Sequence, residues 1–442
     1  MNTPVPTRRQ LIIGIGAGSV LAAGAGAAAY ASGLPSSLFN AAKSEATGAT
    51  SSGSGTVVAA GSSSSVPASS VFAPTTLHEV TLGVTQADFE TLITAYNASK
   101  AKDWVEGSTT IDGTEHARVG LRLKGNSTIF RVAAGSPASA YPWLVRLDKY
   151  VDGADASIEG VTDIVVRTNN SETSLNEAVA LDLAARCGLV MQQAAYAVVQ
   201  VADAAPVLRL LVENPGDGWA KRMFGADVGG QGLLYKAEAS GDYSYRGTDA
   251  TAYEDVFDQE SGKDDLTPLT DFLQFINESS DADFEAGIGK RFDLEAFATY
   301  RAFENLIDNY DAIDGPGNNS YLWWDRASSR MTVIGWDHNL TFGVSNRPGA
   351  GGAARPGGVG AAGGAKGGPG GKTNVLVTRV EKLSDWADRY SAATTAVQKV
   401  LTEQGPAVLD QWAGLLTAKA TDLVSAATVQ SDRAVIAPYL GV

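Results

Sequence analysis

Residues 319–343, which read NSYLWWDRASSRMTVIGWDHNLTFG, contain two apolar runs separated by a short polar segment. The runs 321–324 and 331–336 are rich in aromatic and β-branched residues, and the small and charged residues of 326–330 are typical of a turn. This pattern predicts a β-hairpin. Asp337 directly follows the second apolar run, so the hairpin should hold its carboxylate at a rigid strand end.

The segments before this hairpin are rich in strand patterns, and those after it are helical. The patterns predict strands at 80–82, 117–124, 143–147, 164–167, 196–201, 208–213 and 233–236, and helices at 85–99, 175–187, 268–277, 293–308 and within 376–440. The runs 196–201 and 208–213 are close enough to form a second hairpin. Thr267 is expected to cap the helix that follows it. A strand-rich first half and a helical second half predict an α+β architecture.

The composition is that of a globular protein with an acidic surface. The 442 residues are 44% hydrophobic and carry a formal net charge of −15. This charge argues against bulk attraction to nucleic acid, so local cations must hold any anionic ligand. The single cysteine, Cys187, rules out an intramolecular disulfide, and its place in an apolar helical pattern favours an inert core residue.

The first 75 residues are expected to lie outside the folded domain. Arg8 and Arg9 precede an apolar run that ends near an Ala-Tyr-Ala cleavage pattern at 29–31, which predicts a twin-arginine signal peptide over 1–35. An uncleaved membrane anchor is the alternative, and it would be the protein's only contact with a membrane. Residues 36–75 are rich in Ser, Gly and Ala and predict a flexible linker.

The folded domain is expected to span 76–442, with one low-complexity interruption. Residues 348–373 are dominated by glycine, which predicts a disordered loop within the domain. A glycine-rich phosphate cradle is the alternative. The segment lacks the P-loop pattern and does not lie between a clear strand and helix, which disfavours that alternative.

Six motifs resemble, in the same order, those of one protein family. They are VGLRLKGNST at 119–128, LVE at 211–213, GLLYK at 232–236, NYD at 309–311, NSYLW at 319–323 and GWDHNLTFG at 335–343. Together they resemble the spore coat protein H (CotH) kinase family over roughly 78–390. The resemblance implies an atypical protein-kinase-like fold that uses ATP and Mg²⁺ or Mn²⁺.

The resemblance also implies where a metal and an acceptor hydroxyl would be held. Asp337 and Asn319 would be the metal ligands, although each could instead shape a turn. Asp311 occupies the acid of the family's N-W-D motif and is the expected catalytic base. Asp314 is the alternative because it lies five residues before Asn319, as in ordinary kinase catalytic loops. Asp308 is expected to end the preceding helix.

Phosphate-binding cations are expected from three segments. Lys236 and Lys124 match lysines of the family motifs, and Glu177 matches a helical glutamate that would orient a cation. The strand at 142–149 should supply that cation, but the family's lysine is missing there, which leaves Arg146 as the candidate. Arginine and lysine bind phosphate differently, so this departure bears on activity. His338 is expected to be structural.

Two functions follow from these residues. The first is an exported kinase that uses ATP and a divalent metal to phosphorylate Ser or Thr of secreted or cell-surface proteins. The second is a catalytically inactive pseudokinase that serves as a surface-binding or adhesion module. The departure at the expected lysine and the scarcity of ATP outside the cell favour the second, whereas two acids and an amide around one hairpin favour the first. Transfer of AMP instead of phosphate remains open.

Overall fold

The computed structural model describes residues 69–125, 127–169, 171–225, 231–239, 241–315, 319–344 and 374–442. The predicted signal peptide, nearly all of the predicted linker and the predicted Gly-rich loop lie outside these residues. The described part nevertheless corrects one domain boundary. Val71 and Phe72 are buried in the core of the first half, so the packed domain begins before residue 76.

Seven strands of the first half form a closed barrel. They are β1 (Leu77–Gly83), β2 (Val105–Ile111), β3 (Thr114–Leu123), β4 (Trp143–Arg146), β5 (Asp163–Val166), β6 (Ala194–Val201) and β7 (Val207–Glu213). Their order is β1-β2-β3-β4-β5-β7-β6, and β1 closes the barrel by pairing in parallel with β6. Leu82, Leu121, Val145 and Val199 share one buried cluster with Phe89 of the helix α1 (Gln86–Ser99).

Helices and a four-stranded sheet make up the second half. The sheet, in the order β11-β10-β8-β9, contains β8 (Leu233–Ala237), β9 (Phe257–Ser261), β10 (Ser320–Asp325) and β11 (Arg330–Gly335). The helices after α1 in chain order are α2 (Ser127–Phe130) and α3 (Leu175–Arg186), which lie between barrel strands, then α4 (Asp217–Phe224), α5 (Thr267–Glu278), α6 (Asp281–Gly287), α7 (Leu294–Leu306), α8 (Val375–Val380), α9 (Trp386–Lys419) and α10 (Ala426–Ile436).

Helix α3 joins the two halves, because it packs on the outside of the barrel and against α9. Asp182 of α3 accepts a hydrogen bond from the Trp412 indole at 3.0 Å, and the Trp412 ring meets Tyr196 of β6 edge to face. At the end of α3, burial raises the pKa of the Cys187 thiol to about 12, as expected for an inert core residue. The first turn of α3 lies beside the end of β5, where Glu177 pairs with Arg167.

The fold agrees with the predicted α+β class, and both predicted hairpins are present. Two strands escaped prediction because their sequences carry few apolar residues. In β2, VEGSTTI has only two well-buried positions, and β9, FDQES, lies at a sheet edge. The expected cap at Thr267 is wrong by one position, since α5 begins at Thr267 and follows Leu266.

Candidate functional site

Three of the predicted site residues lie at one end of the four-stranded sheet. Ser320 pairs with Gly335, so Asn319 and Asp337 lie just beyond the paired ends of β10 and β11. Lys236 of β8 pairs with Tyr321, two residues from Asn319. The hairpin predicted from the sequence therefore brings a carboxylate, an amide and an ammonium group to the same sheet edge.

Asp337 is held by an arginine that the sequence analysis did not select. Its backbone adopts the left-handed region, with φ of 61°, where the chain leaves β11. Arg167 Nη1 lies 3.0 Å from Asp337 Oδ1, and the Arg167 guanidinium packs over the Trp336 ring. The Asp337 side chain keeps 26% of its surface exposed. One carboxylate oxygen is thus oriented by Arg167 while the group stays accessible to a ligand.

Arg167 also pairs with Glu177, so it bridges two carboxylates. Its Nη2 donates to Glu177 Oε1 at 2.6 Å, and the Glu177 side chain is only 2% exposed. Burial raises the pKa of Glu177, although the Arg167 charge opposes that shift. Glu177 is therefore the helical glutamate of a buried ion pair, as expected from its place at the start of α3.

The expected partner of Glu177 was wrong. Arg146 does not pair with Glu177 but donates to Asp163 on the neighbouring strand at 2.7 Å, and its guanidinium packs on Trp104. The cation comes instead from Arg167, which directly follows β5 and precedes α3. The available sequence signal was a charged residue at the end of the fully buried run DIVV, just before the helix that carries the glutamate.

A group of cations lies between the barrel and the sheet. Lys124 follows β3, and its Nζ lies 5.4 Å from the centre of the Trp336 ring. Burial lowers the pKa of Lys124 to about 7, and repulsion from Arg122, Lys236 and Arg167 adds to that shift. Lys102 has its pKa lowered to about 8 for similar reasons. The positive charges destabilise one another, and an anion among them would relieve that repulsion.

This cation group is not isolated from acids. Lys236 forms an ion pair with Glu238, and the charge of Glu260 favours the protonated form of Lys124. Among the described residues, Lys124 itself makes no ion pair. The two predicted phosphate contacts, Lys124 and Lys236, thus lie close enough to influence each other, in the same cleft as Arg167.

The three candidate acids of the loop after α7 have different surroundings. Asp311 Oδ2 accepts a hydrogen bond from Asn319 Nδ2 at 3.0 Å. Asp314 forms an ion pair with the buried Arg301 at 2.7 Å. Asp308 has a left-handed backbone, with φ of 50°, and its charge helps to raise the pKa of Tyr439. Of the three, Asp311 is the one in direct contact with a predicted metal ligand.

A group of buried polar side chains adjoins Asp337 through His338, the next residue in the chain. His338 Nε2 lies 2.9 Å from Glu304 Oε1, and Glu304 also accepts a hydrogen bond from Asn309 Nδ2 at 2.5 Å. Burial would lower the pKa of His338, but the Glu304 carboxylate outweighs it and raises that pKa. His338 is fully buried, in keeping with the structural role expected for it.

Gly335 leaves room for this group, and we expect Gly335→Ala to destabilise the protein. An added Cβ would lie 2.8 Å from His338 Cε1 and 3.2 Å from Glu304 Oε1. Such overpacking should lower the free energy of unfolding by about 1–3 kcal/mol, measured by urea denaturation. Gly414→Ala is the matched control, because its Cβ would meet nothing within 4 Å on α9. The control should be as stable as the parent or more so; equal stability of both variants would contradict the packing described.

Two features are absent from the described residues: a large cluster of metal-ligating side chains and a membrane-spanning helix. No group of three or more His, Cys, Asp or Glu side chains in these ranges could hold a metal ion. Asp337 and Asn319 would supply one carboxylate and one amide, with the remaining oxygen ligands of a metal coming from phosphate or water. Within the same residues, no helix is both long and apolar enough to cross a membrane.

The structure is an α+β fold in which Arg167 contacts a strand-end carboxylate, Asp337, and lies near Lys124 and Lys236. Comparison with known families assigns the chain more narrowly. A family model described as CotH kinase protein matches residues 121–405, more than half of the chain. The protein therefore belongs to the CotH kinase family and is kinase-like. A comparison with curated proteins finds no significant match.

Proposed function

We propose that this protein is an exported kinase that uses ATP and Mg²⁺ or Mn²⁺ to phosphorylate Ser or Thr of secreted or cell-surface proteins. The observation that carries the proposal is the bridge from Glu177 through Arg167 to Asp337. Protein kinases need a cation on the phosphates, a helical glutamate to orient it and an aspartate for the metal. Here Arg167 pairs with both the helical glutamate, Glu177, and the aspartate proposed for the metal, Asp337.

Arg167, Lys124 and Lys236 would hold the phosphates of ATP. Arg167 is fixed by two carboxylates and a tryptophan ring, so its planar fork is preorganised. Lys124 lies in a cleft that penalises its charge, and a phosphate there would relieve the repulsion from neighbouring cations. Arg146 is not assigned this role, because it pairs with Asp163 and Asp148 rather than with Glu177 or Asp337.

Asp337 and Asn319 fit a magnesium or manganese ion, which prefers carboxylate and amide oxygens and takes further oxygens from phosphate. Asn319 uses its Nδ2 to donate to Asp311, which leaves its amide oxygen as a ligand. A bound divalent metal would neutralise charge on the phosphates. Arg167 orients Asp337 for that contact through one of its carboxylate oxygens.

Asp311 would orient the acceptor hydroxyl and take its proton as the hydroxyl oxygen bonds to the γ-phosphorus and ADP leaves. The hydrogen bond from Asn319 holds Asp311 beside the proposed metal ligands. Asp314 is the weaker candidate, because its carboxylate is already engaged by the buried Arg301 at 2.7 Å, whereas Asp311 contacts the proposed metal ligand Asn319. Replacing each acid by asparagine in turn distinguishes the two, since only replacement of the catalytic base should remove most of the activity.

Export is part of the proposal and rests on the twin-arginine pattern at the start of the chain. A fusion of residues 1–35 to a reporter that acts only outside the cytoplasm tests it. Reporter activity that disappears when Arg8 and Arg9 are changed to lysine supports export by this route. Fusion protein that accumulates in the cell without reporter activity would refute it.

The test of the enzymatic proposal uses the full-length protein with γ-labelled ATP, Mg²⁺ or Mn²⁺, and a generic protein acceptor. Label on a Ser or Thr supports the kinase. Label from α-labelled ATP, and none from γ-labelled ATP, would identify AMP transfer. No transfer and no ATP binding would leave the second candidate, a pseudokinase that binds a surface partner, which is favoured by the departure from the family's lysine.

Binding of ATP should weaken as pH rises through the pKa of Lys124. This pKa is about 7, so the ammonium group loses its proton near neutrality, whereas phosphate requires the charged form. We expect the Kd of ATP to rise between about pH 6 and about pH 9, with uptake of a proton on binding. Calorimetry in buffers of different ionisation enthalpy measures that uptake.

Lys124→Arg is the matched variant, because its guanidinium stays charged throughout this range. It should show a flatter pH profile and less proton uptake. An identical profile in both proteins would show that Lys124 does not titrate on binding. The pH dependence of stability has the opposite sign. Between the lowered pKa of folded Lys124 and its ordinary value, the unfolded chain binds more protons than the folded one, so the free-energy cost of burying Lys124 falls as pH rises.

A further inference from the structure

A cleft lined by two arginines and two acids opens at one end of the barrel, outside the residues assigned to ATP. It has a volume of about 880 Å³, and Thr128, Arg131, Thr168, Glu172, Arg209 and Asp422 are among the residues that line it. We call it the barrel-mouth cleft. Mouths of β-barrels are common ligand sites, so its polar groups indicate what it could bind.

Arg209 and Arg167 lie on opposite sides of the barrel wall. Val166 pairs with Leu211 and the Arg167 amide donates to Leu210, so Arg167 lies beside Leu210 in the sheet. Leu210 packs in the cluster outside the barrel, whereas Leu211 packs inside it. Side chains alternate along a strand, which puts Arg209 on the inner side with Leu211. The barrel-mouth cleft is therefore separate from the Arg167–Asp337 contact.

The charge of Arg209 is not balanced by the protein around it. Its Nη2 donates to the Ser139 carbonyl at 2.6 Å and its Nη1 to the Leu208 carbonyl at 3.2 Å, but its buried Nε has no hydrogen-bond partner in the described part of the chain. No carboxylate among those residues forms an ion pair with it, although Glu172 and Asp422 line the exposed side of the cleft. Arg209 is half-buried and faces the cleft without a carboxylate partner among these residues, so an anionic group of a ligand can take that place.

We propose that the barrel-mouth cleft binds the carboxylate or phosphate group of a ligand through Arg209. A guanidinium matches both groups through its N–H donors, and Nη1 and Nη2 of Arg209 each use one N–H on a backbone carbonyl, which leaves a second N–H on each for a ligand. The hydroxyl groups of Thr128 and Thr168 line the same space and can add donors. Glu172 and Asp422 line the exposed side of the cleft and would repel further negative charge. The ligand is therefore expected to carry a single anionic group, bound at Arg209.

The test is the rise in Tm that inorganic phosphate produces in full-length protein carrying Lys124→Met, which weakens phosphate binding at the proposed ATP site. In this background, Arg209→Gln should weaken the apparent phosphate affinity about tenfold or more, since charge-assisted hydrogen bonds are lost. Arg209→Lys should retain part of it. Arg118→Gln, on the exposed part of β3, is the control and should change nothing. A glutamate-rich peptide, tested the same way, distinguishes an acidic polypeptide from a free anion as the source.

The stability of the variants without phosphate decides between ligand binding and a structural role. Arg209→Gln breaks no ion pair of the described residues and removes hydrogen bonds to two backbone carbonyls, so in phosphate-free buffer it should lower the Tm only slightly. A drop in Tm that is equal with and without phosphate would make Arg209 structural and overturn the proposal. So would a phosphate effect that does not depend on Arg209. These readouts need no kinase activity, so they stand or fall separately from the proposed function.

Discussion

Asp337→Ala should abolish metal-dependent transfer from ATP, with a fall in rate of about 10³-fold or more. Asp337 is the one carboxylate at the paired end of β10 and β11 that Arg167 orients, and its side chain remains partly exposed. Removing it deletes the proposed metal ligand and leaves Arg167 with Glu177 alone. Transfer of γ-label to an acceptor protein, at saturating ATP, measures the effect.

Asp325→Ala is the matched control for this experiment. Asp325 lies at the opposite end of the same hairpin, where its carboxylate accepts hydrogen bonds from Ala327 and Ser328 in the turn. The control should keep most of the activity. Equal losses in the two variants would show that the hairpin was damaged, and an active Asp337→Ala protein would remove Asp337 from the catalytic machinery.

Arg167→Ala should lower the free energy of unfolding by about 3–5 kcal/mol, because it leaves Glu177 buried and without its cation. Glu177 is 2% exposed and Arg167 11%, so water cannot replace the lost contact easily. Urea denaturation measures the change. Arg118→Ala breaks an exposed pair with Glu106 and should leave stability nearly unchanged. A similarly small loss of stability in both variants would contradict the conclusion that Arg167 stabilises the fold through Glu177.

The loss in Arg167→Ala should also depend on pH in a defined direction. Burial raises the pKa of Glu177, and removing the arginine removes a charge that opposes this shift. Above the pKa of the unfolded chain, the folded state then holds a proton that the unfolded state releases, so its stability falls as pH rises. Arg167→Ala should therefore lower the free energy of unfolding less at about pH 5 than at about pH 8. A Glu177→Gln background should remove most of this difference.

Local sequence patterns were enough to predict the hairpin of β10 and β11, because its aromatic and β-branched runs match strand periodicity. They also placed Glu177 at the start of a helix and Asp337 at the end of a strand. Closure of the barrel was beyond such patterns. It depends on parallel pairing of β1 with β6, and their paired residues, such as Leu77 and Tyr196, lie far apart in the chain.

Arg167 was missed for a related reason. The family motif directed attention to the strand at 142–149, where Arg146 is the available cation, but that residue faces Asp163. Only the pairing of β5 with β7 and the packing of α3 against the barrel bring Arg167 to both Glu177 and Asp337. The Asn319–Asp311 contact likewise depends on a loop conformation that no periodicity specifies.

The most direct test of the central claim is the Kd of ATP for the full-length protein, measured by calorimetry with Mg²⁺ and with a chelator. If Asp337 holds the metal that bridges to the phosphates, Mg²⁺ should tighten binding about tenfold or more in the parent and have little effect in Asp337→Asn. ATP binding that ignores Mg²⁺ in the parent, or an equal response to Mg²⁺ in both proteins, would contradict the account.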